Sequence, residues 1–198
     1  MKTYTKESLI ESLQEIREQG WIPNGRHGNA GGVGNTLEDL LGIEENNLPI
    51  PNAAEWELKC QRLRTSSLAT LFHMEPSPKA FKFVPKILLP NYGWRHDKAG
   101  DKYPETEMSF RQTIGALSRS DRGFCVKVDH NERKVSISFD ANHVDSRHSD
   151  WLNWVNERIG LDELNHQPYW GFDDLFHKTG TKLHNCFFIR ADSKKIDG

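Results

Sequence analysis

The sequence predicts an α/β fold: a mixed sheet flanked by helices, with a partial second lobe. Three observations lead there. A helical period of apolar residues opens the chain, a strand that alternates charged and apolar residues occupies 53–60, and a hairpin pattern runs from Phe124 to Asp140. At 198 residues the chain can form one substantial domain or a domain with a lobed extension, and 36% hydrophobic content with six Trp and ten Phe suffices for a core.

Thr5 can cap a helix running to about Gln19, in which Leu9, Ile10, Leu13 and Ile16 recur at helical spacing and Gly20 stops the run. Gly25 to Gly34 holds five glycines in ten residues and must be a loop. It lacks the Lys-Ser/Thr ending of a nucleotide P-loop and follows no strand pattern, which excludes an NTPase. Contact of Arg26 and His27 with a DNA backbone and a plain connector both remain open for it. Asn35 or Thr36 can cap the next short helix, whose apolar stripe is Leu37, Leu40 and Leu41. At about 100° per residue Glu38 falls at the border of that stripe and Asp39 on the far side, so Glu38 is better placed for a site. The plainer alternative is a first-turn acid favoured by the helix dipole.

Beyond the 53–60 strand, Arg64 to Ser67 make a turn and Leu68 to His73 read as a second strand beside the first. Met74 to Pro78 breaks regular structure, Pro85 and Pro90 bracket a short apolar piece, and Asn91 to Tyr103 is polar and suits a surface loop. In the hairpin, Phe124, Val126 and Val128, then Val135, Ile137 and Phe139, alternate with polar residues around a turn at His130-Asn131. Ser149 or Asp150 caps a helix that turns Trp151, Trp154, Val155 and Ile159 inward and ends at Gly160; its tryptophans read as core, not as base-stacking platforms. Residues 172–179 look helical, and Cys186 to Ile189 look like a last buried strand. His143, His148, His177 and His184 fall at no metal-site spacing.

Composition narrows the function. No run is long enough for a membrane span and the N-terminus leads into an amphipathic helix, so a cytoplasmic protein is expected. Cys60, Cys125 and Cys186 are odd in number and widely spaced, which argues for reduced thiols and against a disulfide framework or zinc ribbon. A net charge of -2 and a pI near 6.5 give no overall basic excess, so any DNA affinity must come from local patches. Candidates are Arg62 with Arg64, the Lys79, Lys82, Lys86 group, and the Arg111, Arg119, Arg122 group, each of which is otherwise an ordinary solvated face.

The most chemically pointed stretch is Pro51-Asn52-Ala53-Ala54-Glu55-Trp56-Glu57-Leu58-Lys59-Cys60. On a strand, Glu55, Glu57 and Lys59 share one face while Trp56 and Leu58 point into a core. A carboxylate and an ammonium two residues apart suit a reaction that needs a hard divalent cation and a positioned water, such as phosphodiester hydrolysis. The triplet alone is a weak signal. With 15 Glu and 14 Lys, chance supplies about one Glu-x-Lys, and a second copy stands at the hairpin turn, Glu132-Arg133-Lys134.

The longer string is more specific. Gly34-Asn35-Thr36-Leu37-Glu38-Asp39-Leu40-Leu41-Gly42-Ile43-Glu44-Glu45-Asn46-Asn47, then Pro51-Asn52, then Glu57-Leu58-Lys59, then Leu68 to His73, resembles the MvaI/BcnI family of restriction endonucleases. These are relatives of the mismatch-repair nickase MutH within the PD-(D/E)xK superfamily. The resemblance is concentrated in residues 20–75 and looser in the Phe124 to Asp140 hairpin and around Cys186 to Ala191.

It implies a restriction-endonuclease-like fold and Mg²⁺-dependent cleavage of double-stranded DNA, with Mn²⁺ able to substitute. Carried over by position, Glu57 is a metal-binding acid, Lys59 orients or activates the attacking water, and Glu38 is an accessory acid. Asn52 stands where the family has a metal-binding aspartate. It keeps an oxygen but removes a negative charge, so the resemblance implies a weakened metal site.

The implied organisation is a catalytic lobe at 1–90, holding Glu38 and the 52–59 motif, and a hairpin and helical part at 91–198. The family continues past Gly198 into a segment that helps read DNA, which is here removed, naturally reduced, or supplied by a partner chain. A monomer that acts on one strand at a time at short CC/GG-type sites is also implied. The rival expectation is a non-cleaving DNA-binding module on the same fold, and a weaker third is an RNA- or nucleotide-directed hydrolase.

Overall fold

The computed structural model describes residues 3–24, 32–43, 53 and 55–194. Arg26, His27, Pro51 and Asn52 lie outside the described residues. In chain order the elements are α1 (Lys6–Glu18), α2 (Gly32–Leu41), β1 (Glu57–Arg62), a 3-10 turn (Lys79–Phe81), a π-helical turn (Val84–Leu88) that runs into α3 (Leu89–Tyr92), β2 (Trp94–Arg95) and β3 (Met108–Ser109). There follow β4 (Arg122–Asp129), β5 (Lys134–Val144), a 3-10 turn (Ser146–His148), α4 (Ser149–Ile159), β6 (Tyr169–Gly171), α5 (Phe172–Leu183) and β7 (Cys186–Ala191). No described helix is long and apolar enough to cross a membrane.

The chain divides into two compact units, one made of 1–73 with 176–198 and the other of 74–175. The boundary expected at residue 90 therefore falls inside α3, within the second unit. The α/β class holds, with both parallel and antiparallel strand pairing among the described residues. Among the described residues β1 pairs only with β7, in parallel, while β2-β3 and β4-β5-β6 form two antiparallel sheets. Leu68 to His73 form no strand; Leu68 and Leu71 are exposed, so the apolar run lacks the buried face a strand would need.

In the first unit α1 starts as its sequence dictates, with Thr5 accepting from Ser8 N–H in a reciprocal capping box. Its Leu9 packs with Leu37 and Leu41 of α2 and Leu58 of β1, alongside Tyr4, Ile43 and Ala53. Each large apolar side chain buried there contributes about 1.5–3 kcal/mol. The register pairs Glu57 with Cys186, Lys59 with Phe188 and Gln61 with Arg190, which puts these six residues on one face of the strand pair. Leu58, Cys60, Phe187 and Ile189 take the other face and pack on the core.

The second unit is built on the predicted hairpin, which is longer than its alternation suggested and gains β6 as a third strand. Gly123 sits at a register shift with φ +77, where an added Cβ would meet Asp140 O at 2.4 Å, so the bulge requires glycine. Phe124, Ile137, Phe139 and Val155 fill the core with Leu88, Tyr92 and Leu164. Trp151 packs against it and donates to Tyr92 O and Gly93 O at 3.1 Å, whereas Ile159 is exposed instead of facing inward. α4 is entered through Asp145, which caps the preceding 3-10 turn, not through Ser149 or Asp150.

Two of the arginines considered for DNA contact serve the fold. Arg119 donates to Gly123 O at 2.7 Å and to Ser138 Oγ at 3.2 Å, and Arg122 lies 4.0 Å over the Trp94 ring. Ser138 in turn donates to Glu163 Oε2 at 2.8 Å, while Glu163 Oε1 accepts from Phe139 N–H at 2.6 Å and Leu164 N–H at 3.1 Å. This carboxylate ties the segment after α4 to the middle strand of the sheet. Burial pushes the Glu163 carboxyl up, but the bonds from Phe139, Ser138 and Leu164 outweigh it and hold the group below the ordinary glutamate range.

A depressed folded pKa stabilises the protein above the unfolded glutamate value and ceases to do so as pH falls through the folded one. Glu163→Ala should therefore lower unfolding free energy by about 2 kcal/mol at pH 7, after allowance for the group's partial exposure, because the buried Phe139 N–H loses its acceptor. Urea melts at pH 7 and at pH 3 to 4 check this. The gap between parent and variant should shrink at the lower pH.

Candidate active site

β1 begins at Glu57 because a tight turn immediately precedes it. Ala53 N–H donates to Trp56 O at 2.9 Å and Trp56 N–H to Ala53 O at 3.0 Å, leaving Glu55 exposed in the turn and off the strand face it was expected to share. Trp56 packs edge-on against Phe187 with ring centroids 5.3 Å apart, and Glu57 N–H donates to Asn185 O at 2.8 Å. With Leu58 anchored in the core, the alternation of the strand leaves Glu57 and Lys59 no freedom of face.

Glu57 is 2% exposed, the deepest acid among the described buried polar residues. Lys59, on the same face as the spacing predicted, donates from Nζ to Glu57 Oε1 at 2.5 Å. A third group was not foreseen. Lys182, in the last turn of α5, brings its Nζ to 3.5 Å from Oε2, with its own side chain 14% exposed. Nothing local in the sequence marks Lys182. The only signal is topological: a helix that ends three residues before a strand paired in parallel with β1 sets its last turn beside the start of β1.

Glu38 is placed by α2, which starts at Gly32 and not at Asn35 or Thr36. Thr36 lies inside the helix, where its hydroxyl donates to Gly32 O at 2.6 Å. No acid stands in the first turn, so the helix-dipole explanation for Glu38 falls. The helix closes with Ile43 N–H on Glu38 O at 2.9 Å and Gly42 N–H on Asp39 O at 3.1 Å, Gly42 taking φ +67, while Tyr4 OH donates to Leu41 O at 2.6 Å. These bonds fix the backbone of Glu38.

Glu38 makes itself felt at Cys60. Burial and then the Glu38 carboxylate raise that thiol to about 11, against a smaller lowering by Lys59. Cys186 is raised as well, by burial and then by Glu57, its partner in register. The described residues thus unite Glu57, Lys59 and Lys182 on one face of β1. Glu38 is placed near Cys60, whose side chain belongs to the other face, and Asn52 lies outside the described residues.

Oε2 of Glu57 is buried and accepts no hydrogen bond from the described residues. A buried anionic oxygen in that condition suits a hard divalent cation. Among the described residues no three His, Cys, Asp or Glu side chains gather, so the described residues alone offer this oxygen and not a full protein cage.

The sequence model of the MvaI/BcnI restriction endonuclease family matches residues 10–198. The chain belongs to that family. Its activity is therefore that of a type II restriction-like DNA endonuclease. Among solved structures the fold is similar to restriction endonuclease MvaI in complex with its cognate DNA substrate, at a TM-score of 0.72 and 24% identity, over 97% of this chain and 70% of that one. MvaI in the absence of DNA aligns at a TM-score of 0.42 and 24% identity, over 92% of this chain and 65% of that one. No curated protein sequence matches significantly.

For this MvaI/BcnI family member the site makes a chemical prediction that needs no substrate. In a Cys125→Ser, Cys186→Ser background, Cys60 should react with iodoacetamide at pH 8 about a hundredfold more slowly than an unperturbed thiol, given its rise from 9.0 to about 11. Adding Glu38→Gln should speed the reaction, since a charge that raises the pKa is gone. An unchanged rate would place Glu38 away from Cys60.

Proposed function

We propose that the chain hydrolyses phosphodiester bonds of double-stranded DNA with the help of Mg²⁺, for which Mn²⁺ can substitute. The observation that carries this is the Glu57 and Lys59 pair, an acid with one hydrogen-bonded and one unbonded oxygen beside an ammonium on a strand held rigidly by its core face. Glu57 and the side-chain oxygen of Asn52 would hold the metal. When bound, the ion stabilises negative charge on the phosphate and lowers the pKa of water.

The chain's own residues do the rest. Lys59 orients the attacking water through its ammonium, and Glu57 keeps that ammonium in place. Glu38 is an accessory acid from α2. Acting as a monomer in the cytoplasm, the enzyme cuts one strand at a time, so nicked circles precede linear ones.

Asn52 sets the level of activity. It offers the metal an oxygen without a charge, and hard cations are held largely by charge. The same residue favours the second reading, a non-cleaving DNA-binding module.

A plasmid-cleavage series against Mg²⁺ and Mn²⁺ separates the two. Cleavage that rises with metal supports the enzyme, and metal-independent binding without product supports the module. Lys59→Ala should cost about a hundredfold or more in cleavage rate with little change in melting temperature. Asn52→Asp should lower the metal requirement and raise the rate about tenfold, by adding the second anionic ligand. A Lys59→Ala variant that cuts at the parent rate sinks the site assignment.

A further inference from the structure

β7 carries two consecutive phenylalanines, and they have opposite fates. Phe187 turns inward, where its ring meets Trp56 with centroids 5.3 Å apart and packs on the core of the first unit. Phe188, one residue on, points to the other face of the strand pair and is 52% exposed. A single exposed aromatic is common on a protein surface. What sets this one apart is its neighbours. The parallel register pairs Phe188 with Lys59, with the Glu57 and Cys186 pair on one side of it and the Gln61 and Arg190 pair on the other.

Paired strands lie about 4.8 Å apart, so the ring stands beside the stem of Lys59. The face opens along the strands. The side chains of Glu57 and Lys59 are 3% and 20% exposed, while Phe188 and Arg190 are open to solvent. Arg190 donates to Leu63 O at 2.8 Å, which fixes one end of the guanidinium at that open end. A phosphate that reaches the Lys59 ammonium must come from solvent, and the sugar bonded to it then arrives at the ring. A cation or hydroxyl at 188 would add a phosphate contact. A ring offers apolar area instead, and the apolar surface that a duplex presents next to its phosphates is that of its deoxyriboses.

We propose that Phe188 is a positioning residue of the nuclease site, whose ring packs against the deoxyribose adjoining the scissile phosphate. That contact sets the depth at which the phosphate meets Glu57 and Lys59, and it keeps bulk water off the pair. The inference rests on the site reading given above. It gives the exposed aromatic a task that the charges on the same face cannot perform, because apolar contact does not weaken with salt as phosphate contact does.

The test compares Phe188→Thr, which removes the ring but keeps strand propensity, with Phe188→Tyr, which keeps the ring, in the full chain. Leu117→Ala, which trims a fully exposed apolar side chain in the second unit, is the control. With a duplex oligonucleotide at saturating concentration and Mg²⁺ or Mn²⁺, Phe188→Thr should lose about tenfold or more in single-turnover rate, as expected for a phosphate held slightly out of place. Phe188→Tyr should stay within about threefold of the parent because the ring is kept, and Leu117→Ala should match the parent.

A second readout needs no cleavage. Measured without metal, Kd for duplex DNA should rise about tenfold in Phe188→Thr, toward the low end for loss of an aromatic contact to nucleic acid. The slope of log Kd against log salt should stay at the parent value, since no phosphate contact is removed. Melting temperature should stay within about 2 °C of the parent, as at other exposed positions. A parent that binds duplex but cuts at no metal concentration would remove the nuclease reading, while salt-independent weakening in Phe188→Thr would still support the contact of the ring with DNA. Parental Kd in Phe188→Thr, or parental single-turnover rate in an active protein, overturns the proposal. So does a melting temperature that collapses in Phe188→Thr and recovers in Phe188→Tyr, which would make the ring a packing element. A dimeric parent with a monomeric Phe188→Thr variant overturns it too, by assigning the ring to a second copy of the chain.

Discussion

The parallel pairing of β1 with β7 is the constraint on which the rest of the first unit depends. It fixes which face of β1 carries Glu57 and Lys59, because a slip of one residue would bury the charges and expose Leu58 and Cys60. It also sets α5 beside the start of β1, since β7 can be reached only from the last turn of that helix. The apolar face of the pair is tied down by α1 and α2 through Leu9, Leu37 and Leu41. The site is a by-product of strand register.

Electrostatics inside that frame are unusual for a buried acid. A carboxylate at 2% exposure normally needs both oxygens satisfied, yet Glu57 has one oxygen hydrogen-bonded and the other only facing a charge. Such an arrangement is tolerable because two ammonium groups lie within reach, and it leaves chemistry still to be done at Oε2. Glu163 in the second unit is the contrast. Its two oxygens accept from Phe139, Leu164 and Ser138, and that fully engaged carboxylate serves structure alone.

What could be read from the sequence was what short-range physics dictates. Thr5 and its helix, the hairpin from Phe124 to Asp140, the helix ending at Gly160 and the shared face of Glu57 and Lys59 each follow from local period or capping, and each is present. Family resemblance added Asn52, which no periodicity would single out, and agreed with helical period in preferring Glu38 to Asp39. The failures have a common cause. Leu68 to His73 carries strand-forming residues but no partner, Glu55 is diverted by a four-residue turn, and α2 reaches back to Gly32 because Thr36 satisfies itself within the helix. Lys182 was invisible because it meets Glu57 only through a pairing made across most of the chain.

That pairing also governs when the site comes into being. Glu57 and Cys186 are about 130 residues apart, and the whole of 74–175 is threaded between the two strands. During synthesis the acid and its first lysine emerge early, on a strand whose hydrogen-bonding edge waits empty while an entire second unit is made. Only when the ribosome has released residues 186–191 can the edge close and the helix before it deliver Lys182. The order of the chain thus acts as a timer, keeping a set of charges that belong together apart until residues 186–191 have been made.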